Sequence, residues 1–440
     1  MTVRATLSRR WAVGLLGVPL STAVLAGCGS HSNTPNATGH ASKVTVVTMW
    51  ESHSAGGPAG TTIATLVKKF NQTHPAIDIQ LTVTKASHKA LGALAAGDAP
   101  TIAWISHYDG NFRRASALVS WNPYLRGSHG VSQAEFHSIY PVVWHNGEVS
   151  GQHFRIEADA KVSQLTYNKT LLAKAGITST PTTWAGLARD VAILKQKLPG
   201  VIPLAWKDSS AHILPPFLSN GGHIYKPGSG QKQADFLSPA AVSTFTYFRQ
   251  LYQAHEMILA HGSTIRADFG ANKLAIADGT SAGYQKILQA ANGQFPVGVF
   301  AYPKGSTGQA SNLVQGLGFV LMKGHTPQQY QAAATFLGWW FSTSTQAYWG
   351  QHSGYPPETR NGYQAIPSSY RASHPGLQVA TKILQSPATI SRPVPDSYKE
   401  VQAALDTAFF KAVTGSQSVS SALQTLEKQA NGYLSGQSAL

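Results

Sequence analysis

From Val44 onward the chain alternates between short β-branched runs and helical periodicities. That alternation restricts the possible folds more than any other feature. "VTVVTMW" (Val44–Trp50) reads as a buried strand, and the glycine-rich "ESHSAGGPAG" follows it. Ile63, Leu66, Val67 and Phe70 then recur at helical spacing. "IDIQLTV" sets Ile77, Ile79, Leu81 and Val83 against polar residues, the pattern of a strand with one buried face. A helix over His88–Ala96 leads through "GDAPTIAWIS" into a third strand. Such a β-α-β-α-β run predicts a mostly parallel sheet covered by helices.

A second series begins after Arg155. "SQLTYNKTLLAKAGI" reads as a strand and a short helix. "PTTWAGLARDVAILKQKLPG" reads as a helix opened by a threonine cap, with Trp184, Leu187, Val191 and Leu194 on one side. "GVIPLAW" is a strand, and "SPAAVSTFTYFRQLYQAHEMI" a helix presenting Val242, Phe245, Phe248 and Tyr252. "RADFGANKLAIADGTSAGYQKI" gives a short helix, a strand over Leu274–Ala277, a tight turn and another helix. The chain has 440 residues, room for two α/β domains of ordinary size.

The formal charge of +15 brings nucleic acid to mind, but it reflects only 19 carboxylates rather than clustered cations. No run of five basic residues occurs, so no nucleic-acid partner is expected. Seventeen histidines are present without an H-E-x-x-H or a paired Cys/His spacing, so no metal site is expected. "KGSTG" lacks the remainder of a phosphate-binding loop. No cofactor is implied.

The first 28 residues, "MTVRATLSRRWAVGLLGVPLSTAVLAGC", hold three arginines and then a short apolar stretch broken by Pro19. Leu25-Ala26-Gly27-Cys28 resembles a bacterial lipobox. The resemblance implies a lipoprotein signal peptide over 1–27, lipid on Cys28 and a polar tether to residue 43. The protein would then sit outside the cytoplasmic membrane, exported by the general or the twin-arginine route.

The remaining motifs act together. They are "TMWES", "LVKKFNQTHPAIDIQL", "ALAAGDAPTIAWIS", "LTYNKTLLAKAGI" with "PTTWAGL", "FGANKLAIADGTSAGY" and "STSTQAYWGQHSGYPP". In this order the chain resembles the extracellular solute-binding proteins of ABC importers. "QGLG", "SGYPP", "YRASHPGLQVATKIL" and "SRPVPDSY" lean toward the glycerol-3-phosphate-type branch of that family. The resemblance implies a monomer of two α/β lobes with a ligand cleft between them and an ABC permease as partner. Residues 44–158 with 316–349 would form the N-terminal lobe. Residues 159–315 with 350–435 would form the C-terminal lobe. Crossings are expected near Glu157–Lys161, Gln309–Gly316 and Trp349–Ser353. In the glycerol-3-phosphate branch the matching turn and a late arginine hold phosphate. Those positions here are Thr280, Ser281 and Arg392, with Tyr355 beside them. Lys161 stands where that branch carries a hydroxyl residue, which leaves a sugar, a polyol phosphate or a glycerophosphodiester open as solute.

The residues add their own candidates. Trp50 and Glu51 end the first strand, Ser106 and His107 the third, and ligands of open α/β sheets bind at such strand ends. Trp206 ends "IPLAW" as a possible stacking platform for a sugar. Gly279 to Gly283 is also a literal G-x-S-x-G, the turn that exposes a hydrolase nucleophile. That chemistry needs an acid and then a histidine later in the chain. Only Glu358 and His374 follow in that order, sixteen positions apart. A secreted serine hydrolase using Ser281 therefore stands as an alternative, as does a surface scaffold lipoprotein without a small ligand. The reading preferred here has no catalytic residue.

Overall fold

The computed structural model describes residues 44–106, 109–125, 129–393 and 395–436. Cys28, its tether and His107 lie outside them. Two separate sheets carry the fold. The first runs in the order Ile77–Val83, Thr45–Glu51, Ile102–Ser106, Leu317–Met322 and Leu118–Val119. Its first three strands are parallel, and the late strand Leu317–Met322 enters antiparallel. The second runs Met257–Leu259, Ile202–Trp206, Leu274–Thr280, Ser163–Asn168 and Val297–Ala301. Here too three strands are parallel, and Ser163–Asn168 is antiparallel to both of its neighbours.

Each sheet is covered on both faces, as parallel strands require. On the first strand, Val47 and Met49 enter a large core with Ile63, Leu66 and Phe70. Trp50, of opposite parity, packs with Ala86, Ala90 and Ala103 beneath the other face. The helix Pro58–Thr73 opens on a proline at its first turn, where the missing N–H costs nothing. In the second lobe the helix Trp184–Lys197 is capped by Thr183, whose side chain accepts from Gly186 N–H at 3.1 Å. It buries Trp184, Leu187, Val191 and Leu194, the stripe read from sequence. The helix Pro239–Gln253 differs from its expected stripe. It buries Phe245, Phe248 and Leu251, while Val242 is 45% exposed. Ala241 and Thr244 supply the small contacts that continue this stripe toward the N-terminus.

The helix Pro327–Trp340 opens on a reciprocal cap between Thr326 and Gln329. Thr326→Ala should cost about 1 kcal/mol of stability in urea unfolding, since it removes the acceptor for one otherwise unsatisfied N–H. A loss below a few tenths of a kcal/mol would show that the cap is not holding this end.

Among the described residues, three segments join the lobes. In the first two, Lys161 and Gln315 exchange backbone hydrogen bonds of 2.7 and 2.9 Å. In the third, Thr389–Ile390 pairs in parallel with Asn312–Leu313. The assignment of residues 350–435 to the C-terminal lobe needs correction. Trp349, Ala380, Ile383 and Leu384 belong to the first lobe's core. Thr359 bridges to Ile139, and Tyr140 N–H donates to the Glu358 carbonyl at 3.1 Å. The "SGYPP" turn thus returns the chain to the lobe it came from. The second core resumes at Val401 in the helix Tyr398–Thr414.

Candidate functional site

The cleft is built around a histidine that sequence reasoning passed over. Glu51 ends the first strand fully buried, and two residues later the chain turns back on it. Glu51 Oε2 accepts from the His53 backbone N–H at 2.6 Å and meets His53 Nδ1 at 3.0 Å. His53 Nε2 lies 2.8 Å from Asp159 Oδ2, in the first crossing segment. Burial alone would lower the pKa of His53. The hydrogen bonds and charges of Asp159 and Glu51 outweigh that and push it up to about 9. At neutral pH an imidazolium therefore bridges two carboxylates, one in the first lobe and one in the crossing. Glu51 Oε1 is buried and has no hydrogen-bond partner among the described residues.

The crossing itself is dense in charge. Glu157 is fully buried, and its Oε2 accepts from Arg155 Nη1 at 2.7 Å and from Asn146 Nδ2. Burial raises the pKa of Glu157, with Arg155 opposing. Asp159 Oδ1 accepts from Leu317 N–H. Gly316 passes directly over these groups. A Cβ there would lie 2.0 Å from Glu157 Oε1 and 2.6 Å from Asp159 Oδ1, so only glycine lets the second crossing strand close over the first.

Opposite stands the turn Thr280–Gly283. The Thr280 side chain accepts from Gly283 N–H at 3.3 Å and caps the turn. Ser281 Oγ accepts from Val162 N–H at 3.3 Å, and Ser281 N–H donates to the Val162 carbonyl at 2.9 Å. Both residues thereby tie the turn together and to the first crossing segment. Behind them Asp278 is buried and accepts from Lys207 N–H at 3.1 Å. It also meets His212 Nδ1 at 2.9 Å and the Tyr302 hydroxyl. Burial lowers the pKa of Lys207. Asp278 partly offsets this, and the charges of Lys161 and Arg266 add to it. Lys207 and Arg266 share a small cavity with Thr280 and Gly283.

Two cavities open between the lobes, of about 230 and 160 Å³. Tyr355, Gln285 and Gln289 line both. Ser281, Tyr284 and Tyr370 line the larger, and His53 the smaller. The Tyr355 ring stacks on buried Trp349 at 5.6 Å and meets His53 at 5.7 Å. Of the residues picked from sequence, Ser281 and Tyr355 line the larger cavity and Tyr355 also the smaller; Glu51 lies behind His53, Thr280 caps the turn that carries Ser281, and Lys161 lies in the first crossing segment. Ser106 is half-buried at its strand end, its N–H donating to Ser87 Oγ at 2.8 Å.

Two others need correction, and a third sits beside the crossing rather than along these cavities. Trp206 is fully buried in the second core against Phe248 and Tyr302, at 4.7 and 5.2 Å, so it offers no face to a ligand. Trp50 faces the small core beneath the first sheet. Arg392 is buried beside the crossing, its backbone N–H donating to Asn146 Oδ1 at 2.9 Å and its charge acting on Glu157. It lines neither cavity. His53, Asp159, Glu157, Tyr284 and Gln285 were missed. Only "ESHS" held a local signal, a histidine two residues past a strand-end carboxylate.

Two α/β lobes joined by three crossing strands around a polar, tyrosine-lined cleft define a solute-binding protein of the periplasmic type. The chain belongs to the bacterial extracellular solute-binding protein family, whose model matches residues 65–375. It is 22% identical to the sn-glycerol-3-phosphate-binding periplasmic protein UgpB of Escherichia coli (strain K12), over 90% of this chain and 94% of that one. Among solved structures, it is similar to the cyclic alpha-maltosyl-1,6-maltose binding protein from Arthrobacter globiformis. That match has a TM-score of 0.77 and 19% identity, covering 89% of this chain and all of the other. UgpB from Mycobacterium tuberculosis in complex with glycerophosphocholine matches with a TM-score of 0.76 and 17% identity, covering 89% and 98%. Members of the family bind solutes outside the cytoplasm.

Proposed function

We propose that this chain is the lipid-anchored solute-binding subunit of an ABC importer, capturing a sugar or a glycerophosphodiester-like polyol and passing it unchanged to the permease. The cleft carries this reading. Tyrosine rings suit the faces of a sugar or a glycerol chain, and Gln285 and Gln289 suit its hydroxyls. The relatives' solutes agree in kind: sn-glycerol-3-phosphate, glycerophosphocholine and a cyclic maltosyl-maltose. The lipobox at Cys28 supports anchoring, and the protein acts as a monomer. Motion between lobes about the three crossings opens and closes the site.

The serine-hydrolase alternative finds no support. Ser281 Oγ is engaged by Val162 N–H, and among the described residues no histidine pairs with it.

A calorimetric panel of glycerol-3-phosphate, glycerophosphocholine, maltose and trehalose tests the proposal. At least one should bind with 1:1 stoichiometry. Tyr355→Ala should weaken that ligand by about 2 kcal/mol, roughly thirtyfold, because the ring lines both cavities. Unchanged affinity in the variant would remove the cleft from the binding reaction. Absence of heat from every sugar and every phosphodiester would overturn the solute class.

A further inference from the structure

A cluster of His145, Glu148 and His153 lies in the first lobe, on residues that line neither cleft cavity. "HNGEVSGQH" folds as the end of a short helix followed by a two-stranded hairpin. Ser150 and Gly151, at φ of 50° and 75°, form its tip, the left-handed pair of a tight hairpin turn. The hairpin register sets Glu148 directly opposite His153. His145 joins them from three residues upstream, its Nδ1 2.5 Å from Glu148 Oε2. One ligand atom from each of the three residues lies within 4.8 Å of the others.

The orientation of His153 is fixed by its neighbours. Asn122 Nδ2 donates to the Gly151 carbonyl at 2.8 Å, which turns Asn122 Oδ1 toward the histidine. That oxygen accepts from His153 N–H at 2.9 Å and lies 3.1 Å from His153 Nδ1. Nδ1 therefore carries the proton, and Nε2 presents its lone pair. Nε2 is buried, has no hydrogen-bond partner among the described residues, and lies 3.7 Å from Glu148 Oε2. A lone pair thus faces a carboxylate oxygen, two acceptors with nothing positive between them.

We propose that His145, Glu148 and His153 bind a divalent transition-metal ion of the zinc class. Two imidazoles and one carboxylate are a recognised zinc donor set, with a fourth position left for water. The nitrogen donors disfavour magnesium and calcium, which take oxygen ligands. Asn122 plays the part of the outer residue that holds a ligating histidine in one tautomer. His145 is 60% exposed along its side chain and free to swing into coordination, whereas His153 is prearranged. The sequence concealed the site because His145-x2-Glu148-x4-His153 follows no helical or knuckle spacing. Only the hairpin register brings the ends together.

The test uses the full mature protein, purified without a polyhistidine tag and stripped with EDTA, titrated calorimetrically with zinc chloride. One saturable site per chain is expected, unaffected by millimolar magnesium. Cobalt(II) at the same site should show the visible absorption of a four-coordinate ion. Glu148→Gln and His145→Ala should each weaken zinc at least tenfold. Asn122→Ser should weaken it about tenfold to a hundredfold through the loosened His153 ring. His145 is exposed, so its variant keeps the fold and isolates ligation from stability. Wild-type affinity in both His145→Ala and Glu148→Gln would overturn the proposal. So would weak, unsaturable binding spread over the other histidines.

Discussion

Replacing His53 by alanine should destabilise the protein by about 3 kcal/mol at pH 6, and the loss should shrink as the pH rises. The variant leaves Glu51 and Asp159 buried without the cation that bridges them, and breaking such a group by removing one member is strongly destabilising. The sign of the pH effect follows from His53 itself. Its folded pKa, near 9, lies above the ordinary histidine value of 6.5. Protonation is therefore tighter in the folded state. The stabilisation is complete below about pH 6.5, declines between 6.5 and 9, and is gone above that range. A raised pKa of this size corresponds to about 3 kcal/mol. Urea unfolding at pH 6 and pH 9.5 should show wild type losing that amount relative to His53→Ala. Parallel pH profiles for the two proteins would mean that His53 is not charged in the folded state. The same imidazolium joins the first lobe's strand end to the first crossing segment.

The lobes were legible in the sequence because their signals are local. β-branched runs, glycine loops and helical stripes appear in the order that two parallel sheets need, and the threonine-capped helix at Trp184 matches residue for residue. The last crossing was not legible. A proline-rich turn looks the same whether the chain changes lobe or folds back, and here Thr359 pairs with Ile139 of the lobe it never left. Trp206 was misread for a related reason. Strand parity distinguishes a solvated face from a core only when one face is solvated, and this strand is covered on both. The charged centre was hidden by distance, with His53 and Asp159 separated by 106 positions. The "DGTSAGY" turn starts later than its sequence suggested, because the strand runs on to Thr280, and its hydroxyls hold backbone: Thr280 caps Gly283, and Ser281 clasps Val162.

Glu358 shows the same burial of charge turned to a different end, and its two substitutions should separate sharply. Its carboxyl is fully buried; Oε1 accepts from Ala160 N–H at 2.8 Å and Oε2 from Trp340 Nε1 at 3.3 Å. It fastens the first crossing to the first lobe. Glu358→Ala leaves both donors buried and unpaired and opens a cavity, so a loss of at least about 3 kcal/mol is expected. Glu358→Gln keeps one acceptor and the volume, and should cost about 1 kcal/mol at pH 5. Burial pushes the pKa of Glu358 well above the carboxylate range, with Glu157 and Asp159 adding to it against the Ala160 and Trp340 hydrogen bonds. The folded state therefore holds its proton more tightly than the unfolded chain. The stability this contributes is complete below about pH 4.5 and is lost as the pH climbs through the folded value. Glutamine carries no such dependence. The gap between wild type and Glu358→Gln should narrow from pH 5 to pH 8, whereas Glu358→Ala should stay severely destabilised throughout. Equal losses for glutamine and alanine would show that the carboxyl acts as an anion, and the neutral tie between crossing and lobe would have to be abandoned.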